Sequence, residues 1–222
     1  MNIIQQLQNT FNQKFPTQLQ QKYFFSPGRI NLIGEHIDYN GGYVFPCSID
    51  LGTYAITSAR ADNKFAVYSM NFPDTEIVEF NFNLITYDKN MQWVNYPSGV
   101  IKTIIDHGYK IPNGLNICYY GNLPNGAGLS SSASIEVLTA TILNSYFALG
   151  INDINLIKYT QEAENKFVGV PCGIMDQFVI AKGRKNQAML INCDTLNYQY
   201  APIDLGGYTI VIANSNKKRT LA

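Results

Sequence analysis

Residues 121–134 read GNLPNGAGLSSSAS, a turn of small and turn-forming residues that feeds directly into an apolar helical pattern. Gly126 and Gly128 reach backbone dihedrals that other residues resist, so successive N–H groups can converge on one anion, with the hydroxyls of Ser130, Ser131 and Ser132 beside them. The helix behind opens at about the serines. Its unpaired N–H groups and the positive end of its dipole then face whatever the loop holds, which suits a phosphate. A P-loop would need a lysine after its last glycine, and there is none here. The competing reading of this segment alone is an ordinary capped helix start.

Outward from the loop, Leu115 to Tyr120 reads as the strand that delivers the chain to it. Ala133 to Leu149 reads as a helix apolar nearly all round, hence buried and central, closed by Gly150. Asp153 is placed to cap a second helix, which ends by Gly169 and Pro171. On it Glu162 has Lys166 four residues on, an ordinary surface pair, whereas Glu164 has no such partner and is free to act as a ligand. The next stretch, PCGIMDQFVIA from Pro171, sets Asp176 among Ile174, Met175, Phe178 and Val179. That carboxylate is either a helix cap or a group held in a dry cleft for chemistry. Ala188 to Asn192, Tyr198 to Ile203 and Tyr208 to Ala213 read as three further strands.

Toward the N-terminus, Ile4, Leu7, Phe11 and Phe15 share one helical face before Pro16. Tyr23 to Phe25 is strand-like, and Ser26 to Gly42, SPGRINLIGEHIDYNGG, packs an arginine, two carboxylates, a histidine and two asparagines among glycines and a proline, as binding loops do. Glu35, His36 and Asp38 offer several acceptors and a donor, which suits vicinal hydroxyls; a capped, solvated loop is the alternative. Val44 to Ile49, Leu51 to Arg60, Lys64 to Asn71 and Ile77 to Phe82 read as a meander of strands. A helix follows from near Pro97 to His107, stopped by Gly108, and Trp93, the single tryptophan, is either core or one wall of a flat aromatic pocket.

At 222 residues and 46% apolar, the chain can bury a sizeable core. Lys+Arg and Asp+Glu balance at 16 each, so no net field draws it to nucleic acid or to an anionic membrane. No apolar run approaches a membrane span, and Met1 leads into polar residues rather than a signal sequence, so the expected location is cytoplasmic. Cys47, Cys118, Cys172 and Cys193 stand far apart and read as free buried thiols.

Taken together, SPGRINLIGEHIDYNGG, NLPNGAGLSSSAS and PCGIMDQF resemble the motifs of the GHMP small-molecule kinases. The first, with GEHIDYN intact, resembles the galactokinase signature specifically. The resemblance runs in order over about residues 20 to 220. It implies an α+β fold, the ribosomal protein S5 domain 2-like N-terminal domain of GHMP kinases, a mixed sheet packed against helices with an uncommon left-handed βαβ crossover. It also implies transfer of the γ-phosphoryl group of ATP, with magnesium, to the C1 hydroxyl of α-D-galactose, by a monomer.

By that resemblance Asp176 takes the sugar proton and Arg29 lies beside it, offsetting charge that builds up between the attacking oxygen and the phosphoryl group. Glu35, His36 and Asp38 hold the sugar hydroxyls, with backbone around Gly173 closing the pocket. Gly126, Ala127, Gly128, Leu129, Ser130 and Ser131 wrap the phosphates, Trp93 lies near the adenine, and Ser132 and Glu164 ligate magnesium. Residues 1–222 would form the N-terminal domain. The family's second lobe, with a third glycine-rich motif and a tyrosine that reaches the sugar, is not in this sequence, so little or no turnover is expected from the chain alone. A sugar- and ATP-sensing regulator on the kinase fold is the alternative outside enzymes, although such relatives lose residues of the serine loop and Ser132-Ala133 is intact here. N-acetylgalactosamine kinase is the alternative within them.

Overall fold

The computed structural model describes residues 2–17, 19–124 and 126–213. Strands β1 (Gln21–Asn31), β3 (Pro46–Ala59), β4 (Lys64–Ser69), β5 (Val78–Asn81) and β6 (Leu115–Gly121) form one sheet in the order β1-β3-β6-β4-β5. Only the β4–β6 pair is parallel. Strands β2 (Tyr43–Val44), β7 (Gln187–Asn192) and β8 (Tyr198–Pro202) make a second, antiparallel sheet in the order β2-β7-β8. The architecture is the α+β mixed sheet with packed helices that the motifs imply.

The period-2 alternation of strands sorts the larger sheet's two faces. Phe65, Val67, Ile117 and Tyr119 point to a main core, shared with helices α2 (Asn95–Asp106), α3 (Ser131–Phe147), α4 (Asp153–Glu162) and α5 (Met175–Lys182). Ala66, Tyr68 and Cys118 point the other way, under α1 (Ile3–Lys14), where Leu7, Phe11 and Phe15 meet them. Helix α3 is buried along most of its length, as its all-round apolar pattern requires.

Several expectations shift. The four early runs do not form a meander: Val44 to Ile49 and Leu51 to Arg60 divide into a two-residue β2 and one long β3, and β6 inserts between β3 and β4. Strand propensity marks each run but carries no information on its partner. Residues 26–31 extend β1 instead of opening a loop. Ile4 is exposed although it shares the period of Leu7 and Phe11. Asn152, not Asp153, caps α4, its side chain accepting from the Asn155 N–H at 2.9 Å. Helix α4 then widens into a π-type turn over Ala163–Val168 before Gly169 ends it. Tyr208 to Ala213 is not a strand; Tyr208 and Val211 are 83% exposed, and no strand pairs with the segment among the described residues. Cys172 and Cys193 are half-buried free thiols, and only Cys47 and Cys118 are fully buried. No helix among the described residues is long and apolar enough to cross a membrane.

Candidate active site

Strand β1 passes directly beneath the glycine-serine loop. A Cβ on Gly28 would lie 2.8 Å from the carbonyl oxygen of Leu129, so only glycine lets the loop settle there. The next residue, Arg29, donates its backbone N–H to that same carbonyl at 3.2 Å. Its guanidinium donates from Nη1 to the Gly128 carbonyl at 2.6 Å and from Nε to Asp176 Oδ1 at 2.8 Å. Asp176 stands in the first turn of α5, on the side facing Arg29. The two side chains are 14% and 26% exposed, so the ion pair is largely shielded but still reachable from the cleft.

The loop then does something a capped helix start does not. Gly126 and Gly128 take φ +70 and +69, and Ser130 follows in the left-handed region at φ +60, ψ +50. Ser130 occupies the N-cap position of α3, yet its hydroxyl caps nothing; it donates to Asp176 Oδ2 at 2.5 Å. The first N–H groups of α3 are left facing the loop, the arrangement that binds anions. Arg29, Gly126, Ala127, Gly128, Leu129, Ser130, Ser131, Ser132, Glu164 and Asp176 line one cavity of about 330 Å³. Asp176 is therefore held by two side chains, one from β1 and one from the loop. It neither caps a helix nor lies isolated in apolar surroundings.

On the other side of Arg29 a second cavity, of about 470 Å³, is bordered by Glu35, His36, Asp38 and Gly173 together with Arg29 and Asp176. Asp38 accepts from the Met175 N–H at the start of α5, and a Cβ on Gly173 would lie 2.0 Å from its Oδ2. Partial burial, then the nearby charge of Asp176, push the Asp38 carboxyl above its ordinary value. Glu35 accepts from Asn31 Nδ2 at 3.0 Å, and His36, at φ +59, has Nδ1 2.8 Å from the Tyr39 hydroxyl. Both stay exposed at the cavity rim.

Behind the loop lies a buried polar knot. Glu164, 4% exposed, projects from the π-type turn and is hydrogen-bonded to Ser132. Its Oε2 also accepts from Gln177 Nε2 at 2.7 Å and from the Cys172 thiol at 3.3 Å. Glu136, fully buried on α3, is hydrogen-bonded to it as well. Burial and the neighbouring Glu164 drive the Glu136 carboxyl well above the usual range. Burial raises the Glu164 carboxyl too, while its bonds from Ser132 and Cys172 pull it down.

A third cavity, about 220 Å³, opens beyond Ser131 and Ser132 and is walled by Phe72, Trp93, Tyr96 and Tyr119. Trp93 lies parallel to Phe72, with centroids 6.1 Å apart and planes at 8°, and meets Tyr119 edge-on. It is half-buried, and it serves the core and the cavity wall at once.

The galactokinase galactose-binding signature matches residues 9–59, which hold Arg29, Glu35, His36 and Asp38, and the GHMP kinases N terminal domain matches residues 95–184, which hold the loop, Glu164 and Asp176. Galactokinase of Clostridium beijerinckii is 59% identical over 202 residues, 91% of this chain and 52% of that protein. That of Fusobacterium nucleatum is 54% identical over 220 residues, 99% of this chain and 57% of that protein.

The chain belongs to the galactokinase family.

It spans about half the length of the curated relatives it matches. The crystal structure of Lactococcus lactis galactokinase complexed with galactose superposes with a TM-score of 0.95 at 42% identity, over 99% of this chain and 57% of that one. Mevalonate kinase of Methanococcus jannaschii, at 20% identity and a TM-score of 0.66, shares the fold over 84% of the chain and 56% of its own. As a galactokinase-family domain, the chain brings every motif residue singled out in the sequence to one of three adjoining cavities. Several residues at or behind those cavities escaped the sequence reading, among them Phe72, Tyr96, Glu136 and Gln177. Phe72 and Tyr96 carry no motif around them. Gln177 stands inside a motif and Glu136 two residues beyond another, but only tertiary packing turns them toward Glu164.

Proposed function

We propose that the chain is the N-terminal lobe of a galactokinase that transfers the γ-phosphoryl group of ATP to the C1 hydroxyl of α-D-galactose, giving galactose 1-phosphate and ADP. The observation that carries this reading is Asp176, held between Arg29 and Ser130 where the cavity bordered by Glu35, His36 and Asp38 adjoins the glycine-serine loop. The sugar would sit in the cavity bordered by Glu35, His36 and Asp38 and the triphosphate on the loop, so that the hydroxyl and the γ-phosphorus meet at Asp176.

In the reaction the C1 hydroxyl gives its proton to the Asp176 carboxylate as its oxygen bonds to the γ-phosphorus. The bond from that phosphorus to the β–γ bridging oxygen breaks, and ADP departs. Arg29 and Ser130 fix the carboxylate, and the Arg29 guanidinium offsets negative charge between the incoming oxygen and the phosphoryl group. Asp38, Glu35 and His36, with Gly173 backbone, would hold the sugar hydroxyls; Gly126 to Ser131 would wrap the phosphates, and Trp93 would flank the adenine.

The donor set fits magnesium. The Ser132 hydroxyl and Glu164 carboxylate are hydrogen-bonded to each other beside the loop and offer two hard oxygen donors, the kind this ion prefers. Ser132 and Glu164 would hold the ion, which when bound offsets phosphate charge; the remaining ligands would be water and phosphate oxygens. The reading also takes the protein to be cytoplasmic and monomeric, with a second lobe closing the cleft, so the chain alone would turn over little.

Two measurements test this. Codons beyond Ala222 in the source gene should encode a further lobe comparable in length to the remainder of the relatives. ADP release by the full gene product should require galactose and fall by orders of magnitude in Asp176→Ala; release that depends on N-acetylgalactosamine instead would reassign the substrate, and an unaffected variant would remove Asp176 as the base.

A further inference from the structure

Trp93 follows the most unusual backbone position near the third cavity. Gln92 adopts φ +45, ψ −115, the geometry of the first central residue of a type II′ turn, which glycine normally fills. A side chain there is strained, and such strain persists only where surroundings over-determine it. The turn is held by the Asp88 side chain, which accepts from the Asn90 N–H at 2.9 Å, by the Asn95 backbone N–H, which donates to the Gln92 carbonyl, and by the Asn95 side chain, which alone spans both ends. Asn95, 2% exposed, donates from Nδ2 to the Gln92 carbonyl at 3.2 Å and to the Asp88 carbonyl at 2.8 Å, while its Oδ1 accepts from the Asp88 N–H at 3.2 Å. One amide thus ties both ends of the turn that precedes the indole. The Asn95 amide that makes all three bonds is itself buried, so leaving it unpaired is costly.

We infer that Asn95 is a positioning residue for the aromatic wall: it holds Gln92 in the strained conformer so that Trp93 presents one fixed face to a flat aromatic base. The ligand class is a purine nucleoside. The inference rests on the proposed nucleotide reading of this cavity and adds the residue that sets its affinity. The strain has a use in this account. A relaxed Gln92 would rotate the peptide leading into Trp93 and turn the ring away from the position where it lies parallel to Phe72.

Trp93 is the single tryptophan, so its emission reports this site alone. In the chain as it stands, adenosine should quench that emission saturably. In Asn95→Ala the unliganded emission should move to longer wavelength, iodide should quench it more strongly, and the adenosine dissociation constant should rise about tenfold, the scale of one lost aromatic contact. The deciding arm is rescue. Gln92→Gly alone should keep the original affinity, and Gln92→Gly added to Asn95→Ala should restore most of it, because glycine holds that conformer without the clamp. If Asn95→Ala does not fold, the double variant is read against Gln92→Gly.

Unchanged emission and affinity in Asn95→Ala overturn the inference, as does a double variant that stays unfolded or is no better than the single. Adenosine binding to the parent chain with no effect of Asn95→Ala leaves the base cavity standing and removes only Asn95's role. An indole that does not respond to adenosine in the parent chain removes the cavity reading itself, and the inference with it.

Discussion

The Asp38 carboxylate lies against the backbone of Gly173, so close that a Cβ on that glycine would sit 2.0 Å from Oδ2. The contact joins the polar stretch after β1 to the turn that starts α5, and so couples two motifs 135 positions apart, the difference of the two residue numbers. Gly173→Ala must push Asp38 away from the Met175 N–H. Overpacking of this kind costs about 1–3 kcal/mol. Urea unfolding should show that loss, and galactose affinity in the full gene product should drop with it.

Asp38 also carries a pH signature. Burial and the charge of Asp176 raise its carboxyl above the ordinary value of 3.8 in the folded state. A raised acid costs nothing below that ordinary value, where it is protonated whether folded or not, and destabilises the fold progressively as pH climbs through the raised one. Asp38→Asn should therefore be more stable than the parent near neutral pH, with the advantage vanishing below about pH 4. A stability gap that widens on acidification would contradict this account. Asp176→Asn should shrink the gap, by removing the second cause of the shift.

Arg29 makes a directed pair of bonds, Nε to Asp176 and Nη1 to the Gly128 carbonyl. A lysine ammonium is a point charge and cannot reproduce the fork. Arg29→Lys should fold, yet lower kcat of the full gene product by about tenfold to a thousandfold, the range of a lost charge-stabilising donor. Asp176→Ala should cost about 10² to 10⁴. Ser130→Ala, which removes one of two anchors on the carboxylate, should cost less than either.

The thiols should be slow to react. Burial raises all four: Cys193 is pushed up to about 11, Cys118 to about 12, Cys47 rises as well, and Cys172 rises furthest because burial is joined by the Glu164 carboxylate. Iodoacetamide at pH 8 should label the native chain far more slowly than the denatured one. Rapid modification of Cys172 in the native chain, followed by mass spectrometry, would contradict the geometry around Glu164.

Glu164→Gln keeps the shape of the knot but removes the charge. Manganese titration, followed by water-proton relaxation in the presence of ATP, should show metal affinity reduced by about 10- to 100-fold or more. Metal binding equal to the parent's would transfer the site elsewhere.

Much of this molecule was legible from local pattern. The period of Leu7, Phe11 and Phe15, the apolar surround of α3, the strand-loop-helix at Leu115 to Ser134 and the stop at Gly108 each depend on residues within a few positions of one another. The motif residues could be named for the same reason, since each motif is a short contiguous string. What went astray was of another kind. Residues 26–31 look like a loop by composition, but pairing with β3 makes them strand; Tyr208 to Ala213 has strand composition without a paired neighbour. In both, the missing information was the partner.

The sequence alone determined most of the helices, many of the strands and the place of the glycine-serine turn, because dihedral preference, capping and hydrophobic period act over a few residues. The tertiary structure alone decided that Ser130 serves Asp176 instead of capping α3, that Arg29 reaches a carboxylate 147 positions away, and that Glu136 is buried against Glu164 with its carboxyl raised. Those outcomes depend on the order of strands in a sheet and on the loss of water around paired carboxylates. Neither exists until distant segments have packed together.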